Sequence, residues 1–494
     1  MTQPAGPPAA AQLAVVPDLL ERRAGEDPDG IAFIVDGHAT LSFREWETRS
    51  RAVAHSLLDM GAGRGRRIGL LFAGLDWIEY AVAYLGVLRT GATAVHINDA
   101  LPPAEVRRRF DECGVARLVH ADRLVPPAGF DGTTHPLSTL DTGTDLPLSV
   151  AIDPADISDV LYTSGTTGPA KAYTVPHGNL TFGKQAAATR DFRVAGHMLV
   201  PMTLGTSTSA TCVNSALSAP AVSVVCDPDD IDRMGQLIEQ FAIQSLAITP
   251  WIAIQLLAAD IAGRYDVSSV TMVASGSSPL PPPIARAVLA AFPGARIMSA
   301  CSQSEAGPAL VVNMFDPAKP LSVGRPTPTT ELRLVGADGA EVPQGEVGEI
   351  WLRHQAPRRL YLNAELHRGD EGWYRTGDYG RLGDDGSLYF FDRGVDMLRT
   401  ADGPVSTIEV EAALYEHPAV REAAVFGGPD GEVLAAVALS DPDALAEVEA
   451  ATAGRLAPHQ VPVHILALPT LPRSQNGKVL KRELREQAAL TAAR

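Results

Sequence analysis

Short apolar runs alternate with amphipathic stretches from residue 43 to about residue 300, and this alternation leaves few folds open. Residues 43–60 place Trp46, Val53, Ala54, Leu57 and Leu58 at helical spacing, and Gly61 ends the run. A strand is expected at Ile68–Phe72, followed by an amphipathic helix carrying Trp77, Tyr80, Ala81, Tyr84 and Leu88 up to Gly91. Strand Ala94–Ile97, helix 103–112 and strand Arg117–His120 continue the pattern. A second run begins near His177, with strands expected at 198–201, 221–226, 245–248, 270–274 and 295–299 and helices between them. Pro281-Pro-Pro283 suits the start of a helix over 284–292. Such alternation implies an α/β fold with parallel strands and right-handed crossovers.

After residue 320 the pattern changes to short strands and turns, among them Gly383-Asp-Asp-Gly386, and reads as a small β-barrel or meander. From about residue 392 a smaller α+β unit follows. It has helices at 407–415 and 443–456 and strands at 421–427, 433–439 and 462–467. The expected division is therefore residues 1–391 and 392–494.

Composition narrows the function. A formal net charge of −17 gives no support for nucleic acid or an anionic membrane as partner. The most apolar stretch, Ile68 to Leu88, is interrupted by Asp76 and Glu79 and is no membrane span. Met1 to Val16 is Ala/Pro-rich without a basic region and reads as a frayed tail, not a signal peptide. Cys113, Cys212, Cys226 and Cys301 lack C-x-x-C spacing, so unpaired thiols and a cytoplasmic location are expected. Lysine occurs only at 171, 184, 319, 478 and 481. A bias toward arginine codons accounts for that, yet it makes each lysine worth a question.

The stretch Leu161-Tyr-Thr-Ser-Gly-Thr-Thr-Gly-Pro-Ala-Lys171 follows an apolar strand. Gly165 and Gly168 let successive N–H groups converge into an anion nest; Thr163, Ser164, Thr166 and Thr167 add hydroxyls, and Lys171 adds a point charge. That equipment can grip a polyphosphate. It is not a Walker A loop, because Ala occupies positions 170 and 172, and a plain surface turn remains an equal reading of the loop alone.

Four further stretches stand beside it. Ala300-Cys-Ser-Gln-Ser-Glu305 ends a strand with a hydroxyl and a carboxylate, suited to a phosphate and a bridging Mg2+. Trp373-Tyr-Arg-Thr-Gly-Asp378 puts an acid on a tight turn, as a ribose diol requires. Asp392-Arg-Gly-Val-Asp396 lies at the change of domain. Pro472-Arg-Ser-Gln-Asn-Gly-Lys478 presents one lysine before a C-terminal helix, where Lys481 and Arg482 read as a charged helix start. Taken singly, each of these also reads as an ordinary polar loop.

In this order and spacing the five stretches resemble the acyl-adenylate-forming superfamily of acyl- and aryl-CoA synthetases, adenylation domains and luciferases. The resemblance runs from the helix at 43–60 to the one at 479–490. It implies two α/β layers plus a β-barrel in the large domain, and a small mobile C-terminal lid. It further implies that Thr163, Ser164, Gly165, Thr166, Thr167 and Gly168 with Lys171 wrap the ATP phosphates. Ser304 would touch phosphate, Glu305 would carry Mg2+, and Asp378 would bind ribose with Arg393 following at the hinge. Ser275, Gly276 and Ser277 would form a wall beside adenine and acyl group, and Lys478 would bridge carboxylate and α-phosphate. The implied reaction is AMP-forming ligation of a small-molecule carboxylic acid to CoA or to the phosphopantetheine of an acyl carrier protein, with ATP and Mg2+.

The chain departs from the family pattern at several places. Cys301, after Ala300, stands where an aromatic usually packs on adenine; Ser302 replaces a glycine and Ser304 a threonine. The stretch Met202-Thr-Leu-Gly-Thr-Ser-Thr-Ser209 lacks both the His common in acyl-CoA synthetases and the Asp of amino-acid adenylation domains. That argues against an α-amino acid and leaves Thr206, Ser207, Trp251 and Ser275 as pocket candidates. The hinge position falls on Val395. Two competing readings follow, an adenylating enzyme with an amine acceptor and a lapsed nucleotide-binding relative.

Overall fold

A computed structural model describes residues 13–163, 170–184, 196–219, 221–363, 372–429, 431–474 and 477–492. Two compact units emerge from the internal contacts. The first comprises Met1–Thr163, Lys171–Pro228 and Ala356–His367, and the second Ser164–Ala170, Asp229–Gln355 and Arg368–Arg494.

In the first unit, strands run in the order Leu360–Tyr361, Ala172–Pro176, Ile157–Tyr162, Thr93–Asn98, Arg67–Phe72, Arg117–His120 and Thr133–Pro136. From Ile157–Tyr162 onward the pairings are parallel, while Ala172–Pro176 pairs antiparallel on both sides. Thr93–Asn98 is buried along its whole length, as a strand covered on both faces must be. A second sheet in this unit pairs Gly196–Leu199, Ala221–Val225 and Ile31–Val35 in parallel, with Ala39–Ser42 antiparallel at one side.

The helix over residues 43–59 begins at Ser42, whose hydroxyl accepts the Glu45 N–H (3.2 Å). It lies close against helix Trp77–Arg89. A Cβ on Gly86 would stand 2.5 Å from Val53 Cγ1, so only glycine permits the approach. The same contact buries Trp46, whose indole donates to Ala81 O (2.9 Å), and the Arg89–Glu47 pair.

In the second unit, parallel strands Ser245–Ile248, Met272–Ser275 and Arg296–Cys301 are followed by antiparallel strands Val311–Met314, Ser322–Pro326, Leu388–Arg393, Tyr374–Leu382, Gly348–His354 and Thr330–Val335. The short strands expected after residue 320 are thus antiparallel neighbours. Helix Pro282–Ala291 starts at the triple proline. A three-stranded sheet, Val420–Gly427, Val433–Leu439 and His464–Ala467, packs on helices Thr407–Tyr415 and Leu445–Ala453 through Val410, Leu414, Val425, Val437, Val448 and Ile465. Among the described residues no helix is long and apolar enough to cross a membrane.

Candidate active site

Antiparallel pairing puts two of the expected residues side by side. Asp378 and Arg393 are register partners in neighbouring strands, with Arg393 Nε 3.6 Å from Asp378 Oδ1. The partner strand carries a bulge: Tyr379 faces Asp392 and Gly380 faces Phe390, so Phe391 is an extra residue in the ladder. Its freed carbonyl accepts the Ser406 hydroxyl, and Ser406 Oγ in turn caps helix Thr407–Tyr415 by accepting the Glu409 N–H (3.2 Å).

The turn carrying Asp378 is braced from below. Gly377 takes φ 71°, and its N–H donates to Glu349 Oε1 (3.2 Å), while Asp378 N donates to Thr376 Oγ1 (3.0 Å). Glu349 is itself held by Arg375 (2.9 Å) and the Trp351 indole (3.1 Å). Gln303, from the loop after strand Arg296–Cys301, donates to Asp378 Oδ2 (2.8 Å) and Thr376 O (2.7 Å). Neither Gln303 nor Glu349 is expected from the sequence. Gln303 lies inside the Ala300–Glu305 stretch, but nothing in that stretch says which polar side chain turns toward Asp378.

Burial raises the Asp378 carboxyl above its usual range, and Arg393, Gln303 and Lys478 offset part of the rise. Burial also lowers the Lys478 ammonium; Arg393 adds to that, while Asp378 and Glu305 act the other way. Lys478 therefore sits among one cation and two carboxylates from three separate stretches of chain. Cys301 ends its strand close enough to Asp378 for the carboxylate to add to the burial that pushes its thiol up to about 12. Ser275 ends strand Met272–Ser275 with a buried Oγ that lacks a hydrogen-bond partner among the described residues. Gly276 beside it leaves open space, since a Cβ there would meet nothing within 4 Å, and Ser277 takes φ 79°.

Glu305 and Ser304 offer one carboxylate and one hydroxyl. Among the described residues no group of three or more His, Cys, Asp or Glu gathers to hold a metal by itself. A single carboxylate suits Mg2+ arriving with a nucleotide, which keeps waters and takes its remaining oxygens from phosphates.

Several other expected residues belong to the first unit. In the first unit, Lys171 N donates to Thr163 Oγ1 (3.1 Å), Thr163 N donates to Lys171 O (3.0 Å), and Lys171 Nζ stands 5.7 Å from the Tyr361 ring centroid. Ser164, Gly165, Thr166, Thr167 and Gly168 lie outside the described residues. Thr206 caps helix Ser207–Ser218: its hydroxyl accepts Ser209 N (3.2 Å), and Ser209 Oγ accepts Thr206 N (3.1 Å). Two of that stretch's hydroxyls are thus used in local capping. Beneath them, Ser209 Oγ contacts Tyr80 OH (3.4 Å), Tyr80 OH lies 2.8 Å from His96 Nδ1, and His96 Nε2 lies 2.7 Å from Asp159. This buried chain is not foreseen from the sequence. Trp251, in the second unit, carries the Arg473 guanidinium on its ring face at 4.2 Å.

Lys481 begins helix Lys481–Ala492, as read from the sequence, and its partly covered side chain does more than that: Nζ donates to Thr407 Oγ1 (3.0 Å) and pairs with Glu411 (2.9 Å). Burial opposes its charge, but Glu411, Asp396 and Asp392 outweigh burial and raise it.

Known proteins match this arrangement over its length. The family model for AMP-binding enzymes matches residues 20–362, and that for the AMP-binding enzyme C-terminal domain matches residues 409–478. A 4-coumarate–CoA ligase of Oryza sativa subsp. japonica is 29% identical, over 93% of this chain and 92% of that protein. The anthranilate CoA ligase AuaEII, solved with anthranoyl-AMP, superposes with a TM-score of 0.88 at 23% identity, covering 98% of both chains. The amide bond synthetase McbA from Marinactinospora thermotolerans superposes at 0.80 and 23% identity, covering 96% of this chain and 99% of that one. The chain belongs to the AMP-binding enzymes of the acyl-adenylate-forming superfamily.

Proposed function

We propose that this enzyme activates a carboxylic acid with ATP and passes the acyl group to a thiol, either CoA or carrier-protein phosphopantetheine. The observation that carries the reading is the pairing of Asp378 with Arg393 (3.6 Å), within electrostatic reach of Lys478. In the first step a carboxylate oxygen attacks the α-phosphorus, the bond to the bridging oxygen breaks, and pyrophosphate leaves with the electron pair. Two anions must meet for this. Lys478 screens them in a partly dehydrated site, where a positioned charge lowers the barrier by several kcal/mol, about 3 by comparison with single oxyanion donors.

Asp378, steadied by Gln303 and the Glu349-braced turn, accepts hydrogen bonds from the ribose hydroxyls, and Arg393 follows it at the hinge. Glu305 would hold the Mg2+ that accompanies ATP, and Ser304 would touch phosphate; the ion would supply neutralisation of phosphate charge. Thr163 to Gly168 and Lys171 would hold the phosphates. Ser275, Gly276 and Ser277 would wall the adenine and acyl group beside Ala300, Cys301 and Ser302, and Thr206, Ser207 and Trp251 would shape the acid pocket. Residues 392–494 would serve as a lid that closes for the first step. In the second step the thiol sulfur attacks the acyl carbon, its proton is lost, and AMP leaves with the bond electrons. The mixed anhydride is sensitive to water, so excluding water between steps is the lid's main task.

Acid-dependent exchange of pyrophosphate into ATP tests the reading, over a panel of aryl, short-chain, long-chain and amino acids. Exchange is expected with at least one aryl or alkyl acid, and Lys478→Ala lowers it by roughly 10²- to 10³-fold. No exchange with any acid, or undiminished exchange in Lys478→Ala, overturns it. AMP release that needs an amine and ignores CoA would reassign the acceptor.

A further inference from the structure

Around Lys478 the described residues close on one another. Ser474 N donates to Lys478 O (2.8 Å), Gly477 N to Ser474 O (2.9 Å) and Lys478 N to Ser474 Oγ (3.3 Å), with Arg473 and Val479 paired. These bonds tie Ser474, Gly477 and Lys478 together but do not fix where they are held. Its placement comes from Arg473. The guanidinium stacks on the Trp251 ring at 4.2 Å, donates to Gly477 O (2.7 Å), and is paired with Glu422 through Nε (3.2 Å) and a terminal nitrogen (2.5 Å). Every side of the planar group is engaged: a ring on its face, and a carboxylate and a carbonyl at its edges.

Gly477 completes the fit. It takes φ 74°, and a Cβ there would stand 3.0 Å from Trp251 Cβ and 3.5 Å from Thr249 Oγ1. The loop backbone therefore rests directly on the first turn of helix Pro250–Ala258. One turn further along that helix, Ile254 enters the apolar cluster formed by Val410, Leu414 and Val425, and Arg286 pairs with Glu416 nearby (2.6 Å). Arg473 is thus the polar link between the sheet strand that holds Glu422 and the helix that holds Trp251.

We propose that Arg473 is the positioning residue for Lys478. By clasping the lysine loop to Trp251 it sets the ammonium in place for the first half-reaction, and it lets go when the lid moves for the second. This inference rests on the function proposed above. Arg473 touches neither substrate in this scheme; it acts through the loop. Releasing the clasp leaves the Lys478 charge in the protein and takes away its address.

The test separates the two half-reactions in the full-length enzyme. Wild type and Arg473→Ala are compared in pyrophosphate exchange. The acid is whichever of benzoate, 4-coumarate, anthranilate or dodecanoate the wild type exchanges fastest. The purified adenylate of that acid is then offered with CoA to follow thioester formation alone. Arg473→Ala is expected to lower exchange kcat about 10- to 100-fold, as loss of a stacked, charge-assisted anchor implies, with the KM for ATP unchanged within about twofold. Thioester formation stays level or rises.

Equal losses in both half-reactions, or unchanged exchange in Arg473→Ala, overturns the proposal. Amide hydrogen exchange without substrates gives an independent reading. Residues 472–480 should exchange at least about fivefold faster in Arg473→Ala while 433–439 stay protected, and no difference refutes the clasp. If the wild type exchanges no pyrophosphate, the functional reading fails, and the hydrogen-exchange arm still decides whether the clasp exists.

Discussion

Asp392 gives a prediction whose size follows from its surroundings. Its side chain is 1% exposed, and burial raises its carboxyl to about 6, although Lys481 and the N–H groups of Thr407 (2.6 Å) and Arg393 (2.7 Å) favour the charged form. An unfolded aspartate titrates near 3.8. The folded protein therefore holds this proton more tightly than the unfolded chain. The stability that the proton contributes is fully present below about 3.8 and is lost as pH rises through about 6. A gap of about 2 pH units corresponds to ~3 kcal/mol, of which ~2 kcal/mol falls between pH 4.5 and pH 7. Asp392→Asn cannot titrate, and its amide leaves one N–H donor facing another, a penalty independent of pH. Urea unfolding of wild type and variant, followed by circular dichroism at pH 4.5, 5.5, 6.5 and 7.5, isolates the term by subtraction. The wild-type-minus-variant difference should fall by ~2 kcal/mol across that range. A flat difference, or one that rises with pH, refutes the claim that burial dominates at this carboxylate.

Two further outcomes follow from single contacts. Gln303→Leu removes one hydrogen bond to the partly buried Asp378 carboxylate, and a bond to a charged group contributes ~1.5–3 kcal/mol, so the KM for ATP in exchange assays should rise about 10- to 100-fold. Gly324→Ala places a methyl 1.9 Å from Val312 O at φ 90°, so calorimetry should show destabilisation of roughly 3 kcal/mol or more, or no soluble protein.

Much of the secondary structure was legible because periodicity reports it directly. Strands Arg117–His120, Ser245–Ile248 and Val433–Leu439 and helix Thr407–Tyr415 lie where apolar spacing puts them. The hairpin of Ile31–Val35 with Ala39–Ser42 is not among the strands read from the sequence. Side-chain direction was harder still. Lys481 is legible as a charged helix start, but nothing local says that Thr407 and Glu411, about seventy residues earlier, come to meet it. Trp251 was legible as a special aromatic, but not as the seat of Arg473. Gln303, Glu349 and the His96–Asp159 pair escaped for the same reason, because each depends on a partner from another strand or loop.

The extra residue at Phe391 sets how tightly this stretch of chain is constrained in length. Because side chains alternate between faces along a strand, removing one residue between Tyr379 and Arg393 would exchange the faces of Asp392 and Arg393. The carboxylate that meets the Thr407 N–H would then point toward Asp378, and the guanidinium would enter the buried space beside Lys481. The hairpin behaves like a vernier with a single usable setting. An insertion or deletion in the strand below its turn mis-sets the ribose-facing acid and the hinge together.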